Sequence, residues 1–426
     1  MTLALPVEVI EHAVGFLRDD VYALSNCALT CSSLLTTCRV LIWNDITLPV
    51  MGGDQSSRHP RVDRFLDLLH TNPDLAQHIR SLTLEWTRNE LDKPFWDTVV
   101  VWLQLPRLRQ LTFRGIAFDS FASLLQACRA LPLETLVIEQ ATCVTTQLAP
   151  LLKYPGGSPG LADTPAHVSP PPSLKCLRII RGVFSSSALT QLANVLLAWG
   201  MHESLEELDL DTHYLSWNVQ VPADSDDEMT RSWARLLAEI GPRLQRYGLK
   251  VPHASTCPPV AHGPCLSDHT GSSEDMTRVR RTLCRVLPCT NLRTLSLRTS
   301  LLAYASLHSQ AGIRPFVFIG ALAAVLACAG PSPFPHLEEL KLSWTRSFRT
   351  LPGCADACAL LVLALVEDPT RYSSLQRLEV HSQVVRLGSN DSWLQKMALA
   401  EWETLVTALG GVEAAGVRLD VAVTLP

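Results

Sequence analysis

The chain lacks a long basic run and carries little charge of either sign: 36 Lys and Arg stand against 41 Asp and Glu, a formal charge of −5 over 426 residues. That absence removes the cationic track that non-specific nucleic-acid binding needs. The local group Arg278, Arg280, Arg281 and Arg285 does not replace it, because Arg278, Arg281 and Arg285 share one face of an expected helix and read as a solvated surface. An apolar run of membrane length is missing too. The most apolar stretch, 316–329, falls short of the ~20 residues that a span requires. Gly330, Pro331, Pro333 and Pro335 stop it at once, so it reads as a buried helix, and no membrane partner is expected. Glu8 and Glu11 interrupt the apolar core that a secretory leader would need. The 13 cysteines are scattered, and Cys128, Cys284, Cys328 and Cys358 sit within apolar helical patterns. Reduced, buried thiols fit that placement, which points to a cytoplasmic or nuclear protein.

Equally absent is a convergent set of nucleophile, base and orienting group, so no catalytic residue is assigned and the chain reads as a non-enzyme. Gly156-Gly157-Ser158-Pro159-Gly160 has the letters of a nucleophile elbow. That motif needs a strand before it and a helix after it, and here prolines and glycines surround it. His253, Cys257, His262, Cys265 and His269 gather five possible zinc ligands, at spacings that match no CxxC or HxxxH pair. The segment reads as a loop, and no metal or other cofactor is assigned. Stoichiometric zinc in the purified protein would revive a metal reading, and its absence would end it.

What is present is a repeated phrase: an apolar residue, two variable ones, a leucine, one variable, an aliphatic. Leu205-Glu-Glu-Leu208-Asp-Leu210, Leu292-Arg-Thr-Leu295-Ser-Leu297 and Leu337-Glu-Glu-Leu340-Lys-Leu342 are examples. The first anchors are Ile79, Leu108, Leu133, Leu174, Leu205, Leu244, Leu292, Leu337 and Leu375. Their spacing runs from 25 residues (Leu108 to Leu133) to 48 (Leu244 to Leu292). Regular leucine-rich repeats are about 20–29 residues long, so longer helices or inserted loops must separate these units.

Between the phrases, Leu189, Leu192, Leu196 and Trp199, and again Trp233, Leu236, Leu237 and Ile240, follow helical steps. Ser225 with Glu228, and Ser272 with Asp275, have the spacing of capping boxes ahead of two helices. Each unit thus reads strand, then helix. The expected fold is α/β: an irregular leucine-rich-repeat solenoid over 76–426, with a parallel sheet on the concave face and helices on the convex face. Loops rich in Pro and Gly, or in Pro, His and Ser, interrupt it at about 154–172 and 252–273.

Alternate strand residues point away from the leucines and are the candidates for holding a protein target. Arg114, Arg178, Asp209, Asp211, Lys250, Arg298 and Lys341 are the principal ones, with Glu85, Glu139 and Glu379 in the same rows. Their mixed signs predict recognition by a local patch rather than by one field.

The first fifty residues precede the repeats and read as three short helices. Pro6 opens the first, with Ile10, Val14 and Leu17 on one face; Asp19 or Asp20 caps a second; Leu34, Cys38 and Leu41 mark a third before Trp43. A bundle of about forty residues hides too little apolar surface to fold securely alone, so part of that surface should meet a partner. The alternative is that it only caps the repeats.

Leu5-Pro6, Phe16-Leu17, Leu24, Leu29 with Cys31, Leu34 and Trp43 resemble an F-box, and Ser32-Ser33-Leu34 replaces the commoner basic and aromatic residues of its middle helix. Followed by leucine-rich repeats, the chain is similar to the F-box leucine-rich-repeat proteins, particularly the divergent ones of basidiomycete fungi. The resemblance implies an F-box over 1–50, a connecting segment over 51–75, and a role as substrate receptor of an SCF cullin-RING ubiquitin ligase. It also implies that Leu5, Pro6, Ile10, Phe16, Leu17 and Leu24 grip the Skp adaptor, and through it the cullin, or support that interface. The rival reading is a leucine-rich-repeat scaffold with no ligase attached.

Overall fold

The computed structural model describes residues 6–18, 20–30, 32–50, 60–86, 105–118, 120–129, 131–143, 174–214, 223–251, 287–300, 315–327, 332–346, 354–368, 370–384 and 391–424. Leu5, Cys31, Ser158, the five His and Cys residues between 253 and 269, Ser272, Asp275 and the arginines of 278–285 lie outside them.

The strands are β1 (Asp45–Pro49), β2 (Ser81–Glu85), β3 (Gln110–Arg114), β4 (Thr135–Glu139), β5 (Thr142–Cys143) and β6 (Cys176–Phe184), then β7 (Glu207–Tyr214), β8 (Arg246–Val251), β9 (Thr294–Ser300), β10 (Glu339–Arg346), β11 (Arg377–Val384) and β12 (Arg418–Thr424). Each of the nine repeated phrases forms a strand. The chain divides into two compact units, Met1–Val183 and Phe184–Pro426. In the first unit the strands lie in the order β1-β2-β3-β4-β6, with β5 beside β6. In the second unit β7 to β12 follow one another in chain order. The ladders are parallel, for example Ser81↔Gln110↔Thr135↔Cys176 and Glu339↔Arg377↔Arg418. The architecture is therefore α/β with parallel strands.

The phrase makes strands because its leucines fall on alternate residues and stack in register. Leu82, Leu111 and Leu136 form one buried row, and Leu84, Phe113 and Ile138 the next. Leu295, Leu340 and Leu378 repeat the pattern in the second unit. A one-residue slip would turn every leucine to the opposite face, so the apolar rows fix the register.

Main-chain hydrogen bonds tie the turns ahead of the strands as well. Arg109 and Gln110 both donate their N–H to the Arg80 carbonyl, at 2.8 and 2.9 Å, and Glu134 and Thr135 both donate to that of Arg109. Lys175 and Cys176 then donate to Glu134. The second unit repeats this, with Gln245 and Arg246 on Glu206, Arg293 and Thr294 on Gln245, and Glu338 and Glu339 on Arg293. These pairings satisfy polar backbone that the buried rows would otherwise strand.

The helices are α1 (Val7–Gly15), α2 (Val21–Thr30), α3 (Ser32–Asn44), α4 (Pro60–Thr71), α5 (Phe121–Arg129), α6 (Ser186–Ala198), α7 (Ala223–Ile240), α8 (Pro315–Leu326), α9 (Cys354–Val366) and α10 (Asp391–Ala414). Neighbours pack in pairs, α6 on α7, α8 on α9 and α9 on α10. Ser185 caps α6, its Oγ accepting from the Ala188 N–H at 3.2 Å. In α8 the side chains of Ile319, Leu322, Val325 and Leu326 are buried, as expected for the most apolar stretch. Among the described residues no helix is long and apolar enough to cross a membrane.

The boundaries differ from the sequence reading in three places. β1 falls inside the segment read as purely helical and pairs with β2, so the parallel ladder begins at Asp45 rather than after residue 76. α4 occupies most of the segment read as a connection. α7 starts at Ala223, ahead of Ser225. Ser225 thus lies inside the helix and not ahead of it.

Candidate interaction surfaces

The three N-terminal helices hide little. Val14, Leu24 and Cys38 form their buried centre, with Ile10, Leu17, Cys27, Ala28, Leu34, Leu41 and Ile42 packed around it. Asp20 caps α2 by accepting the Ala23 N–H at 2.9 Å, and Thr37 donates to Glu11 at 3.0 Å, which links α3 to α1.

Outside this centre stand Phe16 and Tyr22, each 79% exposed, and Leu29, 85% exposed, with Val9 and Val21 also in solvent. The only ring against Phe16 among the described residues is that of His12, edge-on at 5.1 Å. These large apolar side chains stand exposed on one short bundle, more than scattered single exposures on a surface would give.

The residues singled out in this region therefore separate into two groups. Pro6 and Phe16 are exposed, whereas Ile10 and Leu17 are partly buried in the bundle and Leu24 is fully buried. Leu24 cannot touch a partner directly, and its place is the centre that holds α1, α2 and α3 together. Val9, Val21 and Tyr22 were not singled out from the sequence. Their signal was a helix face left over after Val14 and Leu24 are turned inward.

The charged strand residues form rows across neighbouring strands. In the first unit Arg114 donates Nε to Glu139 at 2.8 Å and lies 3.9 Å from Glu85. Arg178 on β6 is half-buried. The hydrogen bond to Glu139, with the nearby negative charge, raises the affinity of the Arg114 guanidinium for its proton above the ordinary value.

In the second unit Arg298 grips Asp209 with two bonds of 3.0 and 2.9 Å and lies 4.0 Å from Asp211. Lys250 Nζ stands 3.3 Å from Asp211 Oδ1, close enough to attract although not aligned as a hydrogen bond. Further along, Lys341 sits between Glu339 at 3.1 Å and Glu379 at 3.4 Å. Arg377 bridges Glu339 at 3.0 Å and Asp420 at 2.6 Å. Its hydrogen bond, followed by that of Arg418, holds the Asp420 carboxyl below its ordinary range.

Apart from Arg178, the residues expected to hold a target are thus already engaged in ion pairs of the strand rows. A row of matched pairs presents hydrogen-bonding groups but little net field, so a ligand must exchange partners with them instead of filling an open charge. Of the remaining reactive groups, the buried Cys128 and Cys289 thiols are pushed up to about 12 by desolvation. Thiols so far from ionisation are poor nucleophiles. Cys27, Cys38, Cys128, Cys143, Cys176, Cys289 and Cys358 are unbridged. No protein-family model and no curated protein matches this chain.

Proposed function

We propose that this chain is the substrate-recognition subunit of an SCF-type cullin-RING ubiquitin ligase. On this reading the N-terminal helices bind the Skp adaptor and, through it, the cullin, while the leucine-rich repeats hold a target protein. The observation that carries the reading is the exposure of Phe16, Val9, Val21, Tyr22 and Leu29 on a bundle whose buried centre, among the described residues, is Val14, Leu24 and Cys38. The resemblance of 5–48 to an F-box supplies the identity of the partner.

The subunit performs no bond chemistry itself. It raises the effective concentration of a target beside a ubiquitin-loaded enzyme held elsewhere in the complex. Target binding falls to the strand rows, where Arg114, Arg178, Asp209, Asp211, Lys250, Arg298 and Lys341 offer donors and acceptors. The protein would act in the cytoplasm or the nucleus.

Affinity purification of the full chain from native cells tests the reading. The adaptor and the cullin should co-elute with the wild-type chain, and Phe16→Asp should abolish that recovery while far-ultraviolet circular dichroism stays unchanged. A wild-type chain that recovers neither protein would leave the scaffold reading in place.

A further inference from the structure

The turns ahead of β2, β3 and β4 build a feature separate from both surfaces described above. Arg80, Arg109, Glu134 and Lys175 occupy equivalent positions, each one residue before its strand, and the main-chain bonds between these turns fix their spacing. Arg107 joins them from the bend in which the Leu108 N–H donates to the Leu105 carbonyl at 3.2 Å. Together Arg80, Arg107, Arg109 and Glu134, walled by Pro106 and Pro132, line a hollow of about 330 Å³. That volume is at the small end of the range for ligand sites.

Its charge is uneven. Three guanidiniums face one carboxylate, and Glu134 is shared between Arg109 at 3.3 Å and Lys175 at 3.9 Å. Arg80 and Arg107 are exposed, and neither forms an ion pair among the described residues. The strand rows described above pair their charges, Arg114 with Glu139 and Arg298 with Asp209, and this hollow differs from them.

We infer that the hollow binds a phosphoryl group carried on a protein segment. Forked donors from three guanidiniums suit a dianion with three terminal oxygens better than the two oxygens of a carboxylate, and planar guanidiniums can each give two parallel bonds. A nucleic-acid strand would need cations continuing along its backbone, whereas the row here passes at once to Glu134 and the chain carries a charge of −5. The inference does not depend on the adaptor reading, since no residue of the N-terminal helices lines the hollow.

Titration calorimetry on the full chain tests it with a capped peptide of glycines around one phosphoserine. Comparators are the same peptide unphosphorylated, inorganic phosphate, and a short oligouridylate. The phosphorylated peptide should bind and its unphosphorylated form should not. Arg80→Glu and Arg107→Glu should each weaken binding by about tenfold, the loss of a charge-assisted bond. Arg107→Lys, which keeps the charge but loses the fork, should weaken it less. Glu134→Gln should strengthen it by roughly threefold through release of Arg109, a gain that a merely structural role would not produce. Equal binding of the two peptides, or indifference to both charge reversals, would overturn the inference. So would phosphate matching the phosphopeptide, or oligouridylate displacing it.

Discussion

Asp209 on β7 reaches Arg298 on β9 by crossing the strand between them, and it can do so because that strand carries Gly248 at the crossing point. The register places Asp209 beside Gly248 and Gly248 beside Ser296, two residues before Arg298. A methyl group added at Gly248 would overlap the Asp209 carboxylate. The glycine is needed here for the space above its backbone.

Gly248→Ala should therefore destabilise the chain by about 1–3 kcal/mol, the usual cost of forcing atoms into a filled site. In an Asp209→Ala background the same change should cost much less, because the overlapping group is gone. A double-mutant cycle from urea midpoints reads the coupling. Additive costs would show that the two residues do not interact.

The bundle separates stability from binding. Leu24→Ala removes a fully buried side chain and should cost about 2–5 kcal/mol. Phe16→Ala removes an exposed one and should change the urea midpoint by no more than about 0.5 kcal/mol equivalent. If the two lose similar stability, Phe16 is packed in solution and the N-terminal surface is not available to a partner.

Acid should weaken the end of the second unit. The hydrogen bond from Arg377, assisted by that from Arg418, holds the Asp420 carboxyl below its ordinary value of 3.8. A carboxyl whose folded value lies below its unfolded one stabilises fully above the unfolded value, and that contribution disappears as pH falls through the folded one. Below about pH 4, the wild type should lose urea resistance more steeply than Asp420→Asn. Parallel curves for the two proteins would exclude the linkage.

Trp402 guards the outer side of β12. The Arg418 N–H points to β11, donating to the Gln376 carbonyl at 2.9 Å, so alternate residues of β12 turn their backbone groups away from β11. The indole of Trp402 donates to one of them, the Val421 carbonyl, at 3.2 Å. Among the described strands β12 pairs with β11 alone, and such an edge invites pairing with another chain. Trp402→Ala should raise the associated fraction in sedimentation velocity at high protein concentration. An unchanged distribution would assign the indole a packing role only.

Nine of the strands were legible from the repeated phrase. β5, only two residues long, was not, nor were β1 and β12, which have local reasons. In β1 the anchor position is Trp43, which lies within the last turn of α3, so the helical pattern masked the start of the ladder. In β12 that position is Gly416, which the chain holds at φ 83° as the turn out of α10, a conformation that favours glycine over an apolar side chain. Of the candidate site, the alternation of leucines revealed which strand residues point away from them. It could not reveal that Arg298 pairs with Asp209, 89 positions away, because pairing across strands depends on register and on the gap at Gly248.

The double acceptance of N–H groups by the carbonyls of Arg80, Arg109, Glu134, Glu206, Gln245 and Arg293 has a bearing on diversity. Every donor and acceptor in that series belongs to the peptide backbone, so no particular side chain is required there to keep successive units aligned. Folding leaves those positions almost unconstrained. A chain of this design can change what it binds at the turns by exchanging single surface residues, without disturbing the stacked leucines beneath.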